Sequence, residues 1–304
     1  SAVRSGLTAK PMFTLAHLSD PHLAPLPKPR LSELIGKRIT GYVNWQRRRR
    51  FIHDPETLAK LVADLRLQVS DHIAVTGDIA NLALQEEFER GLKWLQSLGS
   101  LHDVSFVPGN HDAYVSKAVR YAPLWVPYMS GDDGAAGFPF VRRRGPLAVV
   151  GLSTAVPTAP FMATGRLGEA QLQRLGETLA VLSREPVFRV VLIHHPPVSE
   201  ASRHKRLIDA AGFLHVIGQH GAELVLHGHD HLHMLNWLTG PNGTRVPAVG
   251  VPSASGAWTM SKNAAAYNLY TIDGAPGAWR CDMISRGITP KGAVEQQRRK
   301  TIFG

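Results

Sequence analysis

Apolar runs of strand length recur along the chain at 13–18, 72–76, 104–107, 147–152, 187–193 and 222–226, each bounded by Gly, Pro, Asp or Asn. Such short, nearly unbroken runs fit strands covered on both faces. Between several of them lie segments whose apolar residues return at the helical period, at 55–67, 84–98, 168–183 and 205–219. Alternation of the two patterns predicts βαβ units and an α/β fold.

After residue 234 the pattern changes. Strand-like runs at 234–239, 245–251, 267–272 and 279–284 follow one another without a helical segment, and Pro241, Asn242 and Gly243 separate the first two. Asn-Gly between two strands is a hairpin signal, so the chain is expected to finish in antiparallel strands that complete a second sheet. Two stretches, 26–54 and 114–137, carry no clear period and read as insertions over one face of the core. Residues 1–304 thus read as a single domain, with 26–54 as a cap or lid and 286–304 as a basic C-terminal tail.

Composition narrows the class. With 304 residues and 44% hydrophobic content, the chain can bury a large core. No run approaches the roughly 18–20 apolar residues that span a bilayer, and the first dozen residues lack the layout of a secretory signal; the sequence reads as soluble. Its one cysteine, Cys281, cannot form an internal disulfide, so a cytoplasmic location is the default expectation, with peripheral membrane association left open. The net charge of +10 is concentrated at Arg47 to Arg50, at Arg142 to Arg144 and at Arg298, Arg299 and Lys300. Those clusters predict either attraction of anionic partners or a solvated basic face.

The chemistry lies in five short motifs: Asp20-Pro21-His22, Gly77-Asp78, Gly109-Asn110-His111-Asp112, His194-His195-Pro196-Pro197 and Gly228-His229-Asp230-His231. Each follows directly on an apolar run, and in α/β sheets ligands bind outside the carboxyl ends of the strands. All five are therefore expected at one sheet edge. Three oxygen donors (Asp20, Asp78, Asn110) and four imidazoles (His22, His194, His229, His231) form a mixed set suited to Zn, Mn, Fe, Co or Ni. Seven ligands exceed what one catalytic ion uses. The count implies two ions that share a carboxylate and activate a bridging hydroxide for attack on phosphorus.

In this order and spacing the motifs resemble the calcineurin-like metallophosphoesterase superfamily, and the His-His-Pro-Pro form is similar to its class III cyclic-nucleotide and glycerophosphodiester phosphodiesterase branch. The resemblance implies a four-layer α-β-β-α sandwich of two mixed sheets. It implies one ion, of Mn, Fe, Zn or Co, on Asp20, His22, Asp78 and His231, and a second on Asp78, Asn110, His194 and His229. His111 would contact the phosphate and assist the leaving group, Asp112 would orient His111, and His195 would face the substrate or lie behind the ligands. Asn81, which follows the second motif where relatives often carry other polar residues, bears on substrate contacts.

The expected activity is hydrolysis of a small phosphodiester. Two alternatives keep the same core. One is a lipid-linked phosphodiester or pyrophosphate, as in the related UDP-diacylglucosamine hydrolases, with 31–51 as an apolar, basic-rimmed lid that touches a membrane surface. The other, ranked lowest because the chain carries no nucleic-acid module, is a metal-dependent nuclease or nucleic-acid-binding protein. Homo-oligomers are common among such relatives. Of the remaining histidines, His17 reads as a core residue, and His227, His233 and His204 are not assigned as ligands. Trp45 and Tyr42 beside the Arg47 to Arg50 run fit a lipid-interface or base-stacking segment, or equally a cap helix that packs Leu34, Ile35 and Trp45 on the domain.

Overall fold

Each apolar run that ends in a motif becomes a strand with a parallel neighbour, because such a run stays dry only where both its faces are covered. The computed structural model describes residues 12–260 and 264–304. The chain starts on β1 (Phe13–Leu18), passes through the 26–54 insertion with its helix α1 (Lys37–Arg47), and continues as α2 (Pro55–Leu67), β2 (His72–Val75), α3 (Gln85–Leu98) and β3 (Val104–Phe106). Beyond the 114–137 segment come β4 (Phe140–Arg144), β5 (Leu147–Gly151), α4 (Glu169–Leu182), β6 (Phe188–Leu192), α5 (Ala210–His220) and β7 (Leu224–His227). The remaining strands are β8 (Met234–Thr239), β9 (Arg245–Gly250), β10 (Ala266–Asp273), β11 (Arg280–Ile288) and β12 (Val294–Phe303).

Two mixed six-stranded sheets result, in the orders β12-β11-β10-β1-β2-β3 and β4-β5-β6-β7-β9-β8. Alternation along the strands of the second sheet decides the layers. Leu147, Val149, Val190, Leu192, Leu224 and Leu226 point into the core shared with the first sheet. Their neighbours Ala148, Val150, Val191 and Val225 pack outward under α4 and α5. Phe188 meets Trp279 edge-on across the sheet interface, at 5.7 Å between ring centroids. With α2 and α3 joining the first core, the architecture is the four-layer α-β-β-α sandwich.

Several expectations are corrected. The 286–304 segment is no tail: β12 pairs antiparallel with β11 and buries Ile302. Its exposed Arg298, Arg299 and Lys300 are charges on an edge strand, where they discourage pairing with other chains. The antiparallel strands after residue 234 do not all complete the second sheet. Only β8 and β9 do, while β10 to β12 return to the first and place β10 beside β1. The basic cluster at Arg142 to Arg144 is not a surface field. Arg142 and Arg144 alternate inward on β4, and Arg142 donates to the carbonyls of Ser130, Leu101, Val104 and Pro127. The helical segment at 205–219 starts only at Ala210, because Leu207 is buried and Gly165 bridges to it as extended chain. In the insertion, Trp45 packs inward but Ile35 is exposed.

Candidate metal centre

Strained backbone marks the site before any side chain is considered. Among the described residues nine non-glycine residues have positive φ, and Asp20, His22, Asp78, His229 and His231 are five of them. Each such residue costs on the order of 1–2 kcal/mol, so their gathering in one place needs a surrounding structure that enforces it. The enforcing contacts are backbone bonds between the motif loops: Asp20 N–H donates to Gly77, His22 N–H to Asp78 and Gly228 N–H to His194. Two glycines permit the approach. A β-carbon at Gly109 would collide with the Asp78 carboxylate, and one at Gly228 with Ser19 and Asp20.

The loops gather two sets of ligand atoms, Asp20 with His22 and His231, and Asp78 with His194 and His229, each set lying within 4.8 Å. Asn110 joins the second set, its Oδ1 3.2 Å from His194 Nε2. Asp78 lies between the sets, with Oδ2 3.4 Å from His194 Nε2 and 3.8 Å from His22 Nε2. Backbone carbonyls fix the imidazoles. His194 Nδ1 sits 2.6 Å from Thr76 O and His22 Nδ1 3.2 Å from Ala80 O. A carbonyl only accepts, so Nδ1 carries a proton and Nε2 is the nitrogen turned toward the carboxylates. His22 Nε2 and His231 Nε2 lie 3.4 Å apart, and His231 Nε2 also lies 3.1 Å from Asp20 Oδ1, so three donor atoms converge where a cation would fit.

Electrostatics agrees with a demand for positive charge. Burial opposes ionisation of Asp20 and Asp78, yet facing histidines hold both below the usual carboxylate range, Asp78 at about 2. Burial pushes His194 down, but the Asp78 carboxylate outweighs it and raises this histidine to about 10. The donor set, its tautomers and its charge fit a pair of borderline divalent ions.

His111 stands at the rim. Its Nδ1–H donates to Asn81 O at 2.7 Å, its backbone N–H to Asp78 Oδ1 at 2.7 Å, and its ring stacks on Tyr114. The orienting group is thus the Asn81 carbonyl and not Asp112, which corrects the expected role of Asp112. The buried Asp112 carboxylate accepts the backbone N–H groups of Asp78, Ala80 and Gly109 and so ties the second motif to the third. Burial and the neighbouring Asp78 push it up to about 7 against those donors.

The Asn81 side chain does not face the cavity as expected, and His195 takes the second of its two expected places, behind the metal-ligand candidates. The Asn81 side chain is buried and donates to Leu23 O, because its loop is pulled inward by the Glu87 carboxylate, which accepts the N–H groups of Asn81, Leu82 and Leu84. His195 is fully buried, bonded to Thr154 Oγ1 and Ala163 O, with its ring 4.2 Å from that of His229. It backs a ligand. His17 is a core histidine bonded to Thr76 Oγ1.

Sequence reasoning missed two residues of the insertion. Arg49 turns its guanidinium into the site, with Nη1 2.8 Å from His111 Nε2 and Nη2 2.9 Å from His22 Nε2. His53 is buried beneath it, its Nδ1 2.9 Å from Ser255 Oγ and its ring 4.3 Å from that of His22. The available signal was an arginine run followed closely by a histidine inside a patternless insertion. A cavity of about 830 Å³ opens over these groups.

A dimetal phosphatase from Danio rerio superposes with a TM-score of 0.60 at 15% identity, over 96% of this chain and 99% of that one. GAP50 of Plasmodium, described as the anchor in the inner membrane complex, superposes with a TM-score of 0.51 at 11% identity, over 96% and 89%. At these identities the likeness is one of fold. No curated protein matches the chain. The family model described as calcineurin-like phosphoesterase matches residues 13–233, which contain all five motifs. That match spans well over half of the sequence, and the chain belongs to the calcineurin-like phosphoesterases.

Proposed function

We propose that this phosphoesterase hydrolyses phosphodiesters with two metal ions, one held by Asp20, His22, Asp78 and His231 and the other by Asp78, Asn110, His194 and His229. The observation that carries the reading is the single Asp78 carboxylate within reach of both histidine sets. Ions bound there supply positive charge to the phosphoryl oxygens and lower the pKa of water toward about 7; manganese, iron, zinc and cobalt suit the donors.

The chain's own groups do the rest. His111, fixed by Asn81 and Tyr114, turns its unprotonated Nε2 toward the cavity, where it can take a proton from the attacking water and pass it to the departing ester oxygen, a contribution of roughly 10²–10⁴-fold. Arg49 presents two guanidinium nitrogens to the same space and binds the phosphoryl oxygens as a planar fork. Room on both sides supports a diester over a monoester. The 830 Å³ cavity and a second one of about 970 Å³ share Asn110 and His111, so each ester substituent has its own space.

The test uses protein stripped by chelation and reloaded with Mn, Co or Zn. Turnover of bis(p-nitrophenyl) phosphate is expected to exceed that of p-nitrophenyl phosphate. Turnover of the monoester alone would replace the diesterase reading with a monoesterase.

A further inference from the structure

The second cavity differs in character from the first. It runs away from His111 between α1 and the loop at 159–163. Its helical wall presents Ile39 and Val43, four residues apart and therefore on one face of α1. The facing lip carries Phe161 and Met162. All four are exposed, Ile39 by 54% and Phe161 by 82%. Single exposed apolar side chains need no explanation, but facing apolar walls do. Lys37, Arg47, Arg48 and Lys205 line the same cavity, and Leu31, Ile35 and Phe51 of the same insertion are also exposed.

The lining selects among occupants. A nucleobase needs an open aromatic face. Tyr114 is already stacked on His111 at 5.4 Å, and Lys37 Nζ covers it 4.4 Å from the ring centroid, so the aromatic face left open is that of Phe161, out on the lip. The helical wall is aliphatic. A purely polar substituent would leave Ile39, Val43 and Met162 facing water. An aliphatic chain beside an anionic head matches both the apolar walls and the cations around them.

We propose that this cavity seats the hydrocarbon chain of an amphiphilic phosphodiester of phospholipid type, drawn from a membrane surface, with its phosphate at the His111 end. The proposal rests on the phosphodiesterase reading and names its substrate class. The insertion then has two tasks, with Arg49 serving the phosphate and the Ile39 and Val43 face serving the chain.

The experiment is calorimetric titration of the full, Mn-loaded chain with dodecyl phosphate, ethyl phosphate and AMP, below the micelle-forming concentration. Each methylene taken out of water tightens binding about fourfold, so even partial burial should make dodecyl phosphate at least about 30-fold tighter than ethyl phosphate. In the double variant Ile39→Asp with Val43→Asp, checked for retention of both ions, that ratio should fall below about threefold. Equal binding of the two alkyl phosphates, AMP binding as tightly as dodecyl phosphate, or a preference that survives the double variant would each overturn the proposal. A parallel assay compares hexadecyl and ethyl p-nitrophenyl phosphates. Chain-dependent binding with no turnover of either ester removes the diesterase reading and leaves the cavity assignment standing. Turnover without chain preference in binding does the reverse.

Discussion

The Asp112 carboxylate accepts the backbone N–H of Asp78 at 2.8 Å, and through Ala80 and Gly109 it binds two motif loops into one unit. A hydrogen bond is worth about 0.5–1.5 kcal/mol when both partners are neutral and about 1.5–3 kcal/mol when one is charged, and each unpaired buried amide costs about 1–3 kcal/mol. Asp112→Ala should therefore lower unfolding stability by about 3 kcal/mol or more and reduce metal content, whereas Asp112→Asn keeps part of both. Denaturant unfolding and elemental analysis measure the two effects. An alanine variant with normal stability and two ions would show that the loops hold without this tie.

Arg49 gives a prediction of another kind, because it touches the site without belonging to either ligand set. Arg49→Ala should leave two ions bound while raising KM for a phosphodiester at least about tenfold and weakening inhibition by inorganic phosphate. Arg49→Lys should recover only part, since an ammonium lacks the planar fork. The split between KM and kcat is the informative readout. An effect confined to kcat, with phosphate inhibition untouched, would place Arg49 outside substrate binding.

Asp78 stands between the two sets, so Asp78→Ala should empty or disorder both positions rather than one. Chelation should abolish activity and Mn, Co or Zn should restore it in the parent chain but not in the variant. Full dinuclear occupancy of Asp78→Ala, measured by elemental analysis, would overturn the shared-ligand assignment.

How much of this was legible depends on the range of the determining contacts. Strands such as β1 and β6 and the loops that follow them carry local signals, an apolar run and then a compact polar motif, and both can be read in the sequence. Arg49 and His111 lie 62 residues apart, and nothing local to the arginine run says which of its members turns inward. The role of Asp112 depends on amides from two loops, which no motif encodes. Arg142 and β12 were misread for one reason: charge density suggests solvent, whereas Arg142 spends its donors on buried carbonyls and β12 lies along a sheet edge. Asn81 follows the second motif directly, yet Glu87 draws its loop inward.

A last prediction concerns stability against pH and a residue outside the metal centre. His72 on β2 is buried, with Nε2 2.8 Å from Ser105 Oγ and Nδ1 unpartnered. Burial, reinforced by Arg144, Arg142 and His102 and opposed by Asp103, lowers it from 6.5 to about 3. The unfolded chain therefore takes up a proton near pH 6.5 that the folded chain refuses until about pH 3. Between those values the unfolded state binds more protons, so stability falls as the solution is acidified, by up to about 1.4 kcal/mol per pH unit for this one group. Above pH 6.5 both states are neutral here and the dependence vanishes. His72→Gln removes the titration, whatever it does to absolute stability. Its unfolding free energy should change less steeply between pH 6 and pH 4 than that of the parent, by close to one proton in the linkage slope. Parallel slopes for the two proteins would mean that His72 is protonated in the folded state with its neighbours rearranged around it.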